Sequence, residues 1–272
     1  MKTFKRPPEL HSVLIFGAGY VGSHLATALN KAGVPVYMST RTADKYDAIC
    51  KTGAVPFLFG ERPPSVSHVV ITNPPLSDGT DPVLATYGSD WPDSVKWVGY
   101  LSSTGVYGDY DGKKVTEKSA LNAAAPRSVA RKKAEGAWQA TPLPLEVFRL
   151  SGIYGPNRNM LERLKEGRIS GLERSDKPVN RIHVADIVQV VLASIMAPNP
   201  KAVYNLADDA PAPTAEVIAY AAQLLGTVPP TGDGHSSHLM DGSRIIDNSK
   251  IKKELGITLL YPSYKEGLKD CL

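Results

Sequence analysis

The stretch SVLIFGAGYVGSHLATALNKAG, residues 12–33, puts an apolar run, three glycines spaced Gly-x-Gly-x-x-Gly and an amphipathic segment end to end. The apolar run reads as a buried strand. Val21, Leu25 and Leu29 recur at helical spacing, and Gly33 ends the helix because glycine accepts the left-handed conformation of a helix C-terminus. The pattern is weak by itself, and its place between an apolar strand and a helix, followed by further alternating strands and helices, argues for a parallel sheet covered by helices. The three glycines serve different ends. Gly17 permits the tight turn, Gly19 lets backbone approach a pyrophosphate, and Gly22 lets helix and strand pack closely. The backbone N–H groups of the first helical turn, at Tyr20 and Val21, then face outward as anion donors.

The alternation continues. VPVYMSTR, AVPFLFG, SHVVITNPP, VKWVGYLSS and LEVFRLSGIYGP read as further strands, with helices near ADKYDAICKTG, Asp81 to Tyr87 and Pro126 to Glu135. Beyond Pro156, MLERLKEGR, the segment after NRIHVADIV, TAEVIAYAAQLLG and NSKIKKELG read as helices and AVYNLADD as a strand; Pro211 to Pro213 and Gly226 to Gly234 read as loops. The expected fold is a Rossmann doubly wound parallel sheet with a small C-terminal substrate-side lobe. Residues 1–155 are expected to form the dinucleotide-binding core, and 156–272 to complete the sheet and build the lobe within one structural unit.

Composition excludes several classes. With 42% hydrophobic and 21% charged residues and no apolar run near the roughly 20 residues needed to span a bilayer, the chain reads as globular and cytoplasmic, without a membrane segment or a signal peptide. The net charge of +4 comes from scattered lysines and arginines interleaved with acids, a solvated surface rather than a nucleic-acid footprint. Cys50 and Cys271 lie far apart, and no metal-ligand spacing occurs.

The second strand ends in Ser39-Thr40-Arg41-Thr42. Sites that bind NAD place an acid there for the ribose hydroxyls, whereas NADP requires a cation for its extra phosphate. Arg41 supplies a permanently charged planar fork, with Thr40 beside it. The expected cofactor is NADP.

With LIFGAGYVGSHLA, YLSSTGVYGDY, RLSGIYGPNRN, NRIHVADIV and YNLADD in that order, almost the whole chain resembles the extended short-chain dehydrogenase/reductases, the group of epimerases and dehydratases. The resemblance implies that Ser103 polarises the substrate oxygen, with Thr104 beside it. It makes Asn73 and Pro74 part of the cofactor wall, and turns Tyr154 and Arg158 toward substrate. Arg149 lies inside a strand, where contact with substrate and pairing with a buried acid both stay open. Asp186 reads as a structural acid capping a helix and His183 as a packed or surface histidine.

PRSVARKKAE, residues 126–135, departs from the family. Anchored on Glu135, the register puts Arg131 where the family has lysine and Arg127 where it has tyrosine; no other register restores Tyr-x-x-x-Lys. This matches an atypical branch that lacks the pair. Arginine stays protonated and cannot move the proton that accompanies hydride transfer. Arg131 is therefore expected to hold cofactor ribose or an anionic substrate, and the acid is sought among Tyr107, Tyr154 and Lys132 or Lys133. The main functional reading is an NADP-dependent oxidoreductase or epimerase acting on a small substrate, phosphorylated or nucleotide-linked. The alternative is a non-catalytic protein that senses the NADPH to NADP ratio. A homodimer is left open by the polarity of the helices that would form it.

Overall fold

The computed structural model describes residues 6–169, 177–230 and 242–272; of the predicted loop from Gly226 to Gly234, residues 231–234 lie outside them. The first half runs β1 (Val13–Phe16), α1 (Tyr20–Lys31), β2 (Val36–Thr40), α2 (Tyr46–Cys50), β3 (Val55–Leu58), β4 (His68–Ile71), α3 (Pro82–Tyr87), β5 (Trp97–Ser103), β6 (Lys114–Val115) and α4 (Pro126–Gln139). The second half runs β7 (Leu145–Leu150), β8 (Gly152–Tyr154), α5 (Met160–Lys165), β9 (Arg181–His183), α6 (Val184–Met196), β10 (Val203–Leu206), α7 (Thr214–Leu224), β11 (Ile245–Ile246), α8 (Ser249–Leu255) and α9 (Tyr264–Lys269).

Seven strands form one parallel sheet in the order β10-β7-β5-β4-β1-β2-β3. VLIF of β1 and HVVI of β4 are buried throughout, as strands covered by helices on both faces must be. On one face, Leu25 and Leu29 of α1 and Val190 and Val191 of α6 pack with Ile15 and Met38. On the other, Val83 of α3 and Ala134 and Trp138 of α4 cover Phe16, Tyr100 and Val147. The strand order reverses between β1 and β4, with Phe16 flanked by Ser39 and Ile71, and such a reversal opens a crevice at the carboxyl ends of the strands. No described helix is long and apolar enough to cross a membrane.

The stretch LEVFRLSGIYGP forms two strands rather than one. Ser151 N–H donates to Leu206 O within the main sheet, then Gly152 N–H donates to Asn180 O, and the chain leaves to pair β8 with β9. This second ladder begins the lobe, whose own core joins Tyr154, Leu161, Val217, Tyr264 and Leu268. The residues after 156 nevertheless return to the main sheet, because β10 pairs with β7.

Arg149 of β7 pairs with an acid. Its side chain is 4% exposed and its Nη2 stands 2.6 Å from Oε1 of Glu135, which is fully buried on α4. Ser102 Oγ donates to the second carboxylate oxygen at 2.6 Å. Arg149 Nη1 donates to Tyr107 Oη at 2.8 Å, and Tyr107 in turn donates to Asn205 Oδ1 of β10 at 2.7 Å. One polar network thus ties α4, β5, β7 and β10 together. Removing one partner of a buried pair leaves an uncompensated charge, at a cost of about 3–5 kcal/mol. Urea unfolding of Arg149→Met should show a loss of that order, while Arg149→Met with Glu135→Leu recovers most of it. Equal losses in the two variants would assign the cost to packing instead.

Candidate active site

The glycine turn divides its three glycines between packing and opening. Gly17 has φ +110°, and a Cβ on it would come within 2.6 Å of Thr72 Oγ1; a Cβ on Gly22 would come within 2.3 Å of Gly17 O. Both are closed against protein. A Cβ on Gly19 would meet nothing within 4 Å, so this residue alone looks into the crevice. No side chain caps α1 and its first turn holds no acid, which leaves its amide dipoles unneutralised at that opening.

At the end of β2, Ser39 Oγ accepts the Gly17 N–H at 3.2 Å and pins the strand to the turn. The Thr40 hydroxyl donates to Thr42 O at 3.0 Å, so this predicted cofactor contact is spent locally. Arg41 is exposed and shows no hydrogen bond or ion pair with the described residues. Across the crevice, Asn73 follows β4 with its Oδ1 buried and unpartnered, a state that costs about 1–3 kcal/mol until a donor arrives. Pro74 beside it is exposed. The open Gly19 and the unsatisfied Asn73 acceptor fit a dinucleotide at the switch point.

Glu135 sets the rotation of α4. Because Glu135 is anchored inward, Arg131, four residues earlier, lies on the same face. Its Nη1 reaches Asn73 O just beyond β4 at 3.3 Å and, within β5, Leu101 O at 3.2 Å and Tyr100 Oη at 3.1 Å. Burial pushes the Tyr100 hydroxyl up to about 12 against the opposing Arg131 charge. Arg127, one turn back, is exposed. The adjacent lysines diverge to the two walls: Lys132 Nζ donates to Leu121 O at 2.5 Å and Lys133 Nζ to Asp78 O at 3.0 Å. Lys132, expected as a proton donor, is an exposed tether to a loop.

Ser103 ends β5 half-buried, and its Oγ accepts the Gly105 N–H at 3.1 Å. A Cβ on Gly105 would stand 3.3 Å from that oxygen and 2.5 Å from Ser128 Oγ, so the two hydroxyls border one point. Ser128 takes the tyrosine position only if the register is shifted to Lys132, and the sequence assigns it no role. Thr104 is buried, and its hydroxyl donates to Leu150 O at 3.4 Å. Tyr107, expected as a candidate acid, is fully buried with its hydroxyl committed to Asn205 and Arg149, and burial raises its pKa.

Tyr154 and Arg158, expected at the substrate, make contacts within the protein. Tyr154 is buried in the lobe core and donates to Ser263 O at 3.3 Å, facing α9. Arg158 lies over the ring of Tyr20 on α1, 5.3 Å from its centre. His183 is packed, and its ring caps α6 by accepting the Ala185 N–H at 3.2 Å, with burial lowering its pKa to about 4. Asp186 therefore does not cap its own helix; it accepts Leu260 N–H at 2.7 Å and Tyr261 N–H at 3.1 Å, anchoring the C-terminal segment.

Asp208, just after β10, is buried with Oδ2 unpartnered, and burial raises its pKa to about 7 against the attraction of Arg181. Between the ordinary carboxylate pKa and about 7, the folded state holds a proton that the unfolded chain has lost, so stability falls as pH rises through that window. Thermal unfolding should show Asp208→Asn more stable than the parent by a few kcal/mol at pH 8, with the difference vanishing near pH 4. A difference independent of pH would remove Asp208 as its source.

The sheet order, the crevice at the β1/β4 reversal and the glycine turn define a Rossmann-type doubly wound protein. The chain has the fold of NAD-dependent epimerases and dehydratases, and residues 126–135 carry no Tyr-x-x-x-Lys pair. It is 42% identical to a structure described as a functionally unknown conserved protein from Silicibacter pomeroyi DSS, over 95% of this chain and 97% of that one, with a TM-score of 0.88. It is 28% identical to Protein YeeZ of Escherichia coli (strain K12), over 93% of this chain and 97% of the relative. Its fold also matches that of dTDP-glucose 4,6-dehydratase from Bacillus anthracis str. Ames in complex with NAD, with a TM-score of 0.80 at 19% identity over 96% and 94% of the two chains. No family model matches the chain.

Proposed function

We propose that the chain binds NADP(H) across the glycine turn and acts as an oxidoreductase or epimerase on a small substrate bearing a carbonyl or hydroxyl. The observation that carries this reading is the pairing of Gly19, open to the crevice, with the buried, unpartnered Asn73 Oδ1 on the facing wall. The bound nicotinamide would supply hydride acceptance or donation. Tyr20 and Val21 amides would hold the phosphates, and Arg41 would pair with the 2′-phosphate as a charged fork. The complex of the Bacillus anthracis dehydratase with NAD is consistent with a dinucleotide in this crevice.

The chain's own residues then define the chemistry. Ser103 accepts a backbone N–H and keeps its own proton for a hydrogen bond to the substrate oxygen. Arg131 brings a permanent positive charge beside Asn73 and Leu101, near the end of β4 and the middle of β5, where it would offset negative charge developing on that oxygen. No described group suited to proton exchange stands free beside Ser103: Tyr107 is committed to the core and Lys132 to Leu121. The proton that accompanies hydride would therefore come from water. The same observation favours the second reading, an NADP(H)-binding sensor without turnover.

Calorimetry is expected to give tighter binding of NADP+ than of NAD+, with Arg41→Ala removing most of the difference; equal affinities would end the NADP assignment. Oxidation of NADPH against aldehydes, ketones and sugar nucleotides should fall about 10- to 100-fold in Ser103→Ala at unchanged NADPH affinity. Tight NADPH binding with no turnover of any of them would decide for the sensor.

A further inference from the structure

The loop from Gly155 to Asn159 presents a cation that the described structure does not use. Arg158 is exposed, its side chain shows no hydrogen bond or ion pair with the described residues, and its guanidinium rests on the ring of Tyr20. The loop that carries it is fixed. Gly155 N–H donates to Arg158 O and Arg158 N–H to Gly155 O, each at 3.0 Å. Asn159 closes the turn by donating from Nδ2 to Gly155 O at 3.0 Å, while its Oδ1 accepts the Glu162 N–H at the start of α5.

The same loop is clasped to α1. Tyr20 Oη donates to Pro156 O at 2.9 Å, across 136 positions of sequence. Gly155 has φ +154°, and a Cβ on it would approach Tyr20 Oη and Val184 Cγ1 to 2.7 Å each, so a side chain there would push the loop off α1. Tyr20 is the first residue of α1 and follows Gly19, the glycine that opens into the crevice. A guanidinium stacked on an aromatic face keeps its N–H donors at its edge, available to an oxyanion. α1 offers no acid in its first turn to neutralise it.

We infer that Arg158 is a second grip on the diphosphate of the dinucleotide, acting from the small lobe against the backbone amides of the glycine turn, with Tyr20 as the positioning residue that carries it. The inference rests on the NADP(H) reading above. It moves Arg158 from the substrate to the cofactor and makes the lobe part of the cofactor site.

Calorimetry on the full chain with two probes separates the alternatives. NADP+ carries both the 2′-phosphate and the diphosphate; adenosine 2′-monophosphate carries only the former. Arg158→Ala should weaken NADP+ about tenfold and leave adenosine 2′-monophosphate unchanged, whereas Arg41→Ala weakens both. Arg158→Lys should recover part of the loss, because the charge remains without the fork. Tyr20→Leu should reproduce the Arg158→Ala pattern and Tyr20→Phe, which keeps the ring, should be milder; matching thermal midpoints check that the variants fold. Arg158→Ala that binds NADP+ like the parent, or that weakens both probes alike, overturns the inference while leaving the NADP(H) reading intact. A parent protein that binds no NADP+ overturns both.

Discussion

The ion pair between Arg149 and Glu135 orients the site from inside the core. A helix lying on a sheet can rotate about its axis at modest cost while its contacts are only apolar. A buried carboxylate cannot turn away from its guanidinium without leaving both charges stranded. With Glu135 fixed, Ala134 and Trp138 meet the sheet, Arg131 reaches Asn73 beyond β4 and Leu101 within β5, and Lys132 and Lys133 part to Leu121 and Asp78. Tyr107, in the segment after β5, and Asn205, in β10, extend the same constraint across the sheet.

Arginines stand around the crevice. The turn offers amide donors, Arg41 stands at its β2 rim, Arg131 reaches Asn73 O and Arg158 flanks α1, set against the Asn73 Oδ1 acceptor and the buried Asp81 carboxylate near Arg131. Such a cluster of arginines draws anions. Arginine at the family's tyrosine and lysine positions thus gives up a titratable group and retains electrostatic attraction.

The sequence made legible whatever is decided locally. The glycine turn, the period of α1 and the buried runs of β1 and β4 are written into adjacent residues, and they suffice for the sheet and its switch point. On α4 the resemblance anchored Glu135 and placed Arg131 on its face, while Arg127 and Lys132, expected at the site, are exposed. What eluded reading depends on partners remote in sequence. The strand break at Ser151 exists because Asn180 receives the Gly152 N–H; Asp186 serves residues 260–261 rather than its own helix. Tyr154 turns from the crevice because the lobe core lies on its other side, and Tyr107 sinks into the core because Asn205 and Arg149 need its hydroxyl. Period and propensity carry no record of such contacts.

The return of β10 to the edge of the sheet bears on how the chain folds as it is made. Until Asn205 leaves the ribosome, β7 has one strand neighbour instead of two, and Tyr107 has no side-chain acceptor for its hydroxyl. The nascent N-terminal portion would hold a Rossmann half with a bare parallel edge at β7, the kind of edge that recruits strands from other chains. Completion of the core then waits for a segment synthesised some fifty residues after β7, so late synthesis and final stability are joined at one strand.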